Sequence, residues 1–132
     1  MALQSITVKD YMATNLVTLK PDMDVLDAIK LLLKNHISGA PVVDNLGNVV
    51  GILSEKDCIK VALTGGYHQE RGGKVAEYMS PDPKTLDVST SMVDLARMFL
   101  DDPYRRYPVM DDNRLVGQIS RRDVLRALQA LW

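Results

Sequence analysis

Apolar positions along the chain follow two periods, and the order of those periods repeats. From about Asp24 to Asn35, Val25, Ala28, Ile29, Leu32 and Leu33 recur at helical spacing and fall on one face. Two short runs follow, Ala40–Val43 and Val49–Leu53, with the turn residues Asp44–Asn48 between them, which predicts a hairpin. Pro41 has no N–H to donate, so it is expected to open the first strand or lie on an edge. Ser54-Glu55-Lys56-Asp57 then starts a helix that runs to about Leu63. The Ser54 hydroxyl can cap free N–H groups there, and an acid suits the first turn. Upstream, Thr7-Val8-Lys9-Asp10 predicts a short helical lead-in over Val8–Met12. Leu16–Leu19 predicts a brief strand, stopped by Lys20-Pro21-Asp22.

The same order returns. Val75–Met79 is a second lead-in, broken by Ser80-Pro81-Asp82-Pro83, and Lys84–Leu86 a second short strand. Met92, Leu95, Ala96, Phe99 and Leu100 form the helical stripe, Tyr107–Met110 and Leu115–Ile119 the strands. Val124, Leu125, Leu128 and Leu131 line the last helix, from Arg121 to Leu131. Ala40-Pro41-Val42-Val43-Asp44 matches Tyr107-Pro108-Val109-Met110-Asp111 at a shift of about 67 residues. With one residue dropped in the turn, Gly51-Ile52-Leu53-Ser54 matches Gly117-Gln118-Ile119-Ser120, and Asp57 matches Asp123. Val8 and Met12 match Val75 and Met79. The expected fold is mixed α/β (α+β), built of two strand-helix-strand-strand-helix repeats. Residues 1–64 are the first, lead-in included, 65–74 a glycine-rich connector, and 75–132 the second. A repeat of about 60 residues buries too little surface to stand alone, so two copies packed about a pseudo-twofold axis are expected.

Composition narrows the function by exclusion. Of the 132 residues, 46% are hydrophobic, yet no apolar run reaches the length of a membrane span. The start, Met-Ala-Leu-Gln-Ser-Ile-Thr, lacks the features of a secretion signal, and a single cysteine, Cys58, allows no internal disulfide; a cytoplasmic protein is expected. A net charge of −1 argues against a nucleic-acid or membrane-surface binder. The local basic pairs Arg105-Arg106 and Arg121-Arg122 suit one small anion. His36 and His68 lie far apart in sequence and no pair has metal-ligand spacing; His36 suits the end of the first helix. No Gly-x-Ser-x-Gly elbow marks a nucleophile, and Gly73-Lys74-Val75 lacks the hydroxyl a P-loop needs after its lysine. No enzyme and no catalytic cofactor are expected.

The Pro-Val-Val-Asp run, the Gly-x-x-Ser-x-x-Asp run and their duplication resemble a pair of cystathionine-β-synthase (CBS) domains, also called a Bateman module. The resemblance covers almost the whole chain. The repeated Ser-x-x-Asp reads two ways. It is a capping box, although both copies use Asp where Glu or Gln is usual; or it is a helix start offering N–H groups to an anion beside a carboxylate for sugar hydroxyls. In the resembling family this Asp binds ribose, and the Ser contacts ribose or phosphate of an adenine nucleotide. The resemblance also implies clefts in which one copy's Ser-x-x-Asp faces the other copy's strand ends. One combines Thr18, Ile37, Ser38, Ala40 and Pro41 with Ser120 and Asp123. The other combines Thr85, Arg105, Arg106, Tyr107 and Pro108 with Ser54 and Asp57. Adenine is expected against the apolar wall, bonded to backbone near the proline.

Ser38 and Gly39 of the first copy become Arg105 and Arg106 in the second, which suits phosphate; the other reading is a solvated pair matched to Asp101 and Asp102. The expected function is regulatory: sensing an adenosine-containing ligand of the AMP, ADP, ATP, NAD or S-adenosylmethionine type and passing its occupancy to a regulated partner protein. The alternative is a structural dimerisation module without a nucleotide. A homodimer is expected because the amphipathic helices, including the one ending at Trp132, offer more apolar surface than a small module hides.

Overall fold

The computed structural model describes residues 2–64 and 73–131; Met1, the connector residues 65–72 and Trp132 lie outside them. In chain order the elements are α1 (Val25–Lys34), β1 (Gly39–Val43), β2 (Val49–Ser54), α2 (Glu55–Thr64), α3 (Val75–Tyr78), β3 (Ser80–Pro81), β4 (Leu86–Asp87), α4 (Met92–Asp101), β5 (Arg106–Asp111), β6 (Arg114–Ser120) and α5 (Arg121–Ala130). Each repeat is strand, helix, strand, strand, helix. The opening strand of the first repeat contracts to one parallel bridge, Leu19 to Val42.

The chain divides into two compact units, Val17–Pro83 (the Ser54 unit) and Met1–Leu16 with Lys84–Trp132 (the Ser120 unit). Compact units and sequence repeats are therefore cut in different places, because each lead-in packs on the repeat to which it does not belong. In the Ser54 unit the sheet runs β1-β2-β3, and β3 follows the second lead-in. In the Ser120 unit the sheet runs β4-β5-β6, and Ala13, after the first lead-in, bridges Gln118 beyond β6. Ile6 and Val8 join the Ser120 core with Leu86, Met92, Leu95, Phe99, Tyr107, Val109 and Ile119. Val75 and Tyr78 join the Ser54 core with Leu19, Val25, Ala28, Leu32, Ala40, Val42 and Leu53.

The repeated glycine has its reason in this arrangement. A Cβ on Gly51 would lie 2.5 Å from Met79 Sδ, and one on Gly117 the same distance from Met12 Sδ. Real Cβ atoms do not come so close, so the motif glycine makes room for the lead-in methionine that crosses it. Opposite each glycine the ladder carries a bulge, between Val42 and Val43 and between Val109 and Met110.

Several sequence expectations are corrected. Ser80-Pro81 breaks the lead-in helix as expected, but it also pairs with Ile52 and Gly51 as an edge strand, too short to leave a periodic signal. Pro41 lies in the middle of β1. Its carbonyl accepts from Leu19 N at 2.9 Å, so its backbone faces Leu19 and the missing N–H costs no bond in the β1–β2 ladder. Leu33, Leu100 and Leu125, each expected on the apolar face of its helix, are 68%, 87% and 64% exposed. The residue dropped from the second turn reflects geometry: Asp111 pairs with Arg114 around a two-residue loop whose Asp112 and Asn113 have φ of 50° and 66°. Such left-handed pairs match the strand twist of a tight hairpin. The longer first turn instead wraps Asp44 Oδ1 around Leu46 N and Asn48 N, each at 2.9 Å, with Gly47 at φ 88°.

Helix starts follow sequence closely. Asp24 accepts from Leu26 N at 2.9 Å to begin α1, and Ser91 accepts from Asp94 N at 3.1 Å to begin α4. His36 stands just past α1 at φ 53°.

Candidate functional site

Both Ser-x-x-Asp segments sit where a strand runs without a loop into a helix, β2 into α2 and β6 into α5. Both are closed capping boxes. Asp57 Oδ2 accepts from Ser54 N and Ser54 Oγ, each at 2.9 Å, while Ser54 Oγ accepts from Asp57 N at 3.2 Å. Asp123 Oδ2 accepts from Ser120 N at 2.9 Å and from Ser120 Oγ at 3.2 Å, and the reciprocal bond from the Asp123 backbone is present. The shorter aspartate reaches back because the strand residue before the helix is fully extended, with Ser120 at φ −121° and ψ 169°.

The second carboxylate oxygen of each box holds a cation one helical turn on. Asp57 Oδ1 meets Lys60 Nζ at 3.2 Å, and Asp123 Oδ1 meets an Arg126 guanidinium nitrogen at 3.0 Å. The acids are mostly covered, with 7% and 14% of their side-chain surface exposed, while the cations are more than half exposed. Arg126 also lies over the ring of Tyr11, 5.6 Å from its centroid. Lys60 and Arg126 were not singled out from sequence, although their i, i+3 spacing from the acids was a usable signal.

Each box adjoins the start of the strand that opens its own hairpin. Gly39 pairs with Ser54, and Ser38 O accepts from Glu55 N at 2.9 Å. Arg106 pairs with Ser120, and Arg105 O accepts from Arg121 N at 3.2 Å. The backbone of the arginine pair therefore adjoins the Ser120-Arg121 junction that opens α5, within one unit. Thr18 and Thr85 are exposed next to Leu19 and Leu86, which pair with β1 and β5; Ile37 and Ser38 are half-buried.

Ala40, Pro41, Tyr107 and Pro108 are buried, and the side chains of Ala40 and Tyr107 belong to the cores. Tyr107 holds in its own sheet the register position that Ala40 holds in the other. Its ring stacks on Phe99 at a centroid distance of 4.9 Å, and its hydroxyl donates to Asp102 Oδ2 at 2.7 Å. Lys84 Nζ donates to the same oxygen at 2.8 Å. Lys84, then Tyr107, hold the Asp102 carboxyl below its usual range, while burial and then Asp102 push the Tyr107 phenol above its own. No local sequence pattern marks this network, since 18 residues separate Lys84 from Asp102.

Cys58 is half-buried, and burial, with Asp57 beside it, raises its thiol pKa, the opposite of what a reactive cysteine requires. Among the described residues no three His, Cys, Asp or Glu side chains group so as to hold a metal. No helix among them is long and apolar enough to cross a membrane.

The CBS-domain family model matches residues 8–64 and 75–130. CBS domain-containing protein CBSX2, chloroplastic, of Arabidopsis thaliana is 31% identical over 92% of the chain, which spans 63% of that protein. An uncharacterized Methanocaldococcus jannaschii protein is 29% identical over 95% of the chain, which spans 44% of it. Among solved structures, CBSX2 in complex with AMP is 34% identical with a TM-score of 0.83, covering 96% of this chain and 98% of that one. The CBS domain pair of protein MJ0100, in complex with 5′-methylthioadenosine and S-adenosyl-L-methionine, is 25% identical with a TM-score of 0.79, covering 92% and 98%.

Proposed function

The chain belongs to the CBS-domain family, and from that premise we propose that it is a regulatory module binding an adenosine-containing ligand at its two Ser-x-x-Asp helix starts. The observation that carries this reading is the twofold occurrence of one geometry. A strand end, a helix start and a mostly covered carboxylate meet twice, in copies that otherwise differ in their turns and cores. A carboxylate held in place by backbone and hydroxyl donors is preorganised to accept ribose hydroxyls, and the adjoining strand start offers backbone groups for a base. The AMP complex of the 34% identical relative and the methylthioadenosine and S-adenosylmethionine complex of the 25% identical one support the choice of ligand class.

The units differ in what they offer to phosphate. Arg105 and Arg106 adjoin the start of the Ser120 box, whereas Ser38 and Gly39 adjoin the start of the Ser54 box. The Ser120 unit is thus the reader of a phosphorylated ligand, and the Ser54 unit better suits an uncharged 5′ substituent. Ligand binding stabilises the bound fold by mass action, and a partner protein that distinguishes the bound from the free form reads that signal. The reading includes a cytoplasmic homodimer without catalytic activity.

One observation favours the structural alternative: both boxes satisfy themselves without a ligand. Thermal unfolding with millimolar AMP, ADP, ATP, NAD or S-adenosylmethionine separates the two readings. At about 100 times Kd a ligand adds roughly 2.7 kcal/mol, several degrees in Tm for a chain of this size. No shift with any of the five, and no nucleotide carried through purification by mass spectrometry, would leave the structural role alone standing.

A further inference from the structure

We propose that Lys60 and Arg126 set the ribose affinity of the two boxes by competing for the aspartate oxygen that a sugar hydroxyl has to reach. The inference rests on the nucleotide-binding reading above. In each box Oδ2 is occupied by the serine backbone and hydroxyl, which leaves Oδ1 as the acceptor for an outside donor. That oxygen already holds a cation, Lys60 at 3.2 Å from Asp57 and Arg126 at 3.0 Å from Asp123. A ribose hydroxyl approaching it either displaces the cation or shares the oxygen with it, weakening both bonds.

The cations can give way. Their side chains are 55% and 57% exposed, so water replaces the lost partner at little cost. The acids cannot, because each is covered and tied to its helix start. Lys60 and Arg126 thus act as removable covers on a fixed acceptor. They do so to different degrees: Lys60 swings on a flexible stem, whereas Arg126 is also held over the Tyr11 ring. Arg126 is the firmer cover, and its removal has the larger effect.

Calorimetric titration of adenosine and 2′,3′-dideoxyadenosine into wild type, Lys60→Met, Arg126→Met and the double variant tests this. Adenosine carries no phosphate, so a direct contact between a cation and a ligand charge does not enter. The variants should bind adenosine about two- to fivefold tighter, the size expected for releasing such an ion pair, with Arg126→Met above Lys60→Met. 2′,3′-Dideoxyadenosine, which keeps its 5′-hydroxyl but has no 2′- or 3′-hydroxyl to present, should bind all four proteins alike. Unchanged or weaker adenosine binding in the variants overturns the inference, because the cations would then be idle or would hold the carboxylates in place. Equal tightening of both ligands also overturns it, since the effect would not lie at the ribose. A wild type that binds neither adenosine nor AMP refutes the nucleotide reading itself, whatever the variants do.

Discussion

Gly117→Ala probes the packing of the lead-ins, because the three nearest atoms an added Cβ would meet all belong to the first lead-in and the residue after it. The added Cβ would stand 2.5 Å from Met12 Sδ and 3.0 Å from both Met12 Cγ and Ala13 O. The sulfur is the far end of a flexible side chain and can turn away; the Ala13 carbonyl is backbone, and it is tied by Gln118 N donating to it at 2.9 Å. Overpacking of this kind costs about 1–3 kcal/mol. Against that, replacing glycine where φ suits any residue gains about 0.4–1 kcal/mol by restricting the unfolded chain. The expected net loss is about 0.5–2 kcal/mol. In a Met12→Ala background the two Met12 contacts are gone and only the 3.0 Å approach to Ala13 O remains, so Gly117→Ala should cost about 1 kcal/mol less than in wild type. The two substitutions should therefore couple by about 1 kcal/mol. Urea unfolding of wild type, both single variants and the double variant measures the coupling as differences at constant m. Gly51→Ala with Met79→Ala should behave alike, while Gly117→Ala with Met79→Ala should be additive. Additivity of Gly117 with Met12, or coupling of Gly117 with Met79, would refute the exchanged packing of the lead-ins.

Arg106→Ala should weaken AMP about ten- to a hundredfold in calorimetry and leave adenosine little changed, given roughly 1.5–3 kcal/mol for a charge-assisted contact. That loss should be shared with Asp123→Ala and be independent of Asp57→Ala; the opposite pattern would favour the crossed clefts that the family resemblance implies. Tyr107 is held neutral by burial and then by Asp102, so its folded pKa lies above its ordinary value of 10.0. The stability this confers is present below about pH 10 and is lost as pH rises further, because the unfolded chain ionises first. Tyr107→Phe should accordingly lose less stability than wild type between pH 10 and 11 in chemical unfolding. Leu33 and Leu100 occupy equivalent exposed positions on α1 and α4, as do Ile59 and Leu125 on α2 and α5. Sedimentation should find a dimer at tens of micromolar, an order that suits moderate affinity, and Ile59→Glu with Leu125→Glu should shift it to monomer. A wild type that sediments only as monomer rules out the proposed dimer.

What could be read from the chain alone is what depends on neighbours close in sequence. The helical stripes from Val25 and Met92, the hairpins around Asp44 and Asp112, and the serine caps at Ser54 and Ser120 arise from contacts a few residues apart. Repetition doubled each weak signal. The family followed from the same residues, since the motif glycine, serine and aspartate lie within seven positions of one another in both copies. Tertiary structure decided the rest. Only the fold places Met12 over Gly117 and Met79 over Gly51, and so sends each lead-in to the repeat it does not precede. Two-residue pairing such as Ser80-Pro81 with β2 has no period to detect, and its stability comes from the sheet it joins. Tyr107 and Lys84 meet at Asp102 because β5 lies between β4 and β6 and Tyr107 packs on Phe99 of α4, a neighbourhood that no spacing encodes. The exposure of Leu33 and Leu100 was likewise undetermined by periodicity, which sets the face a side chain is on but not how far the core extends across that face. The aspartate boxes stand between these cases: their internal bonds are local and legible, while the arginines that adjoin one of them arrive through the register of β5 on β6.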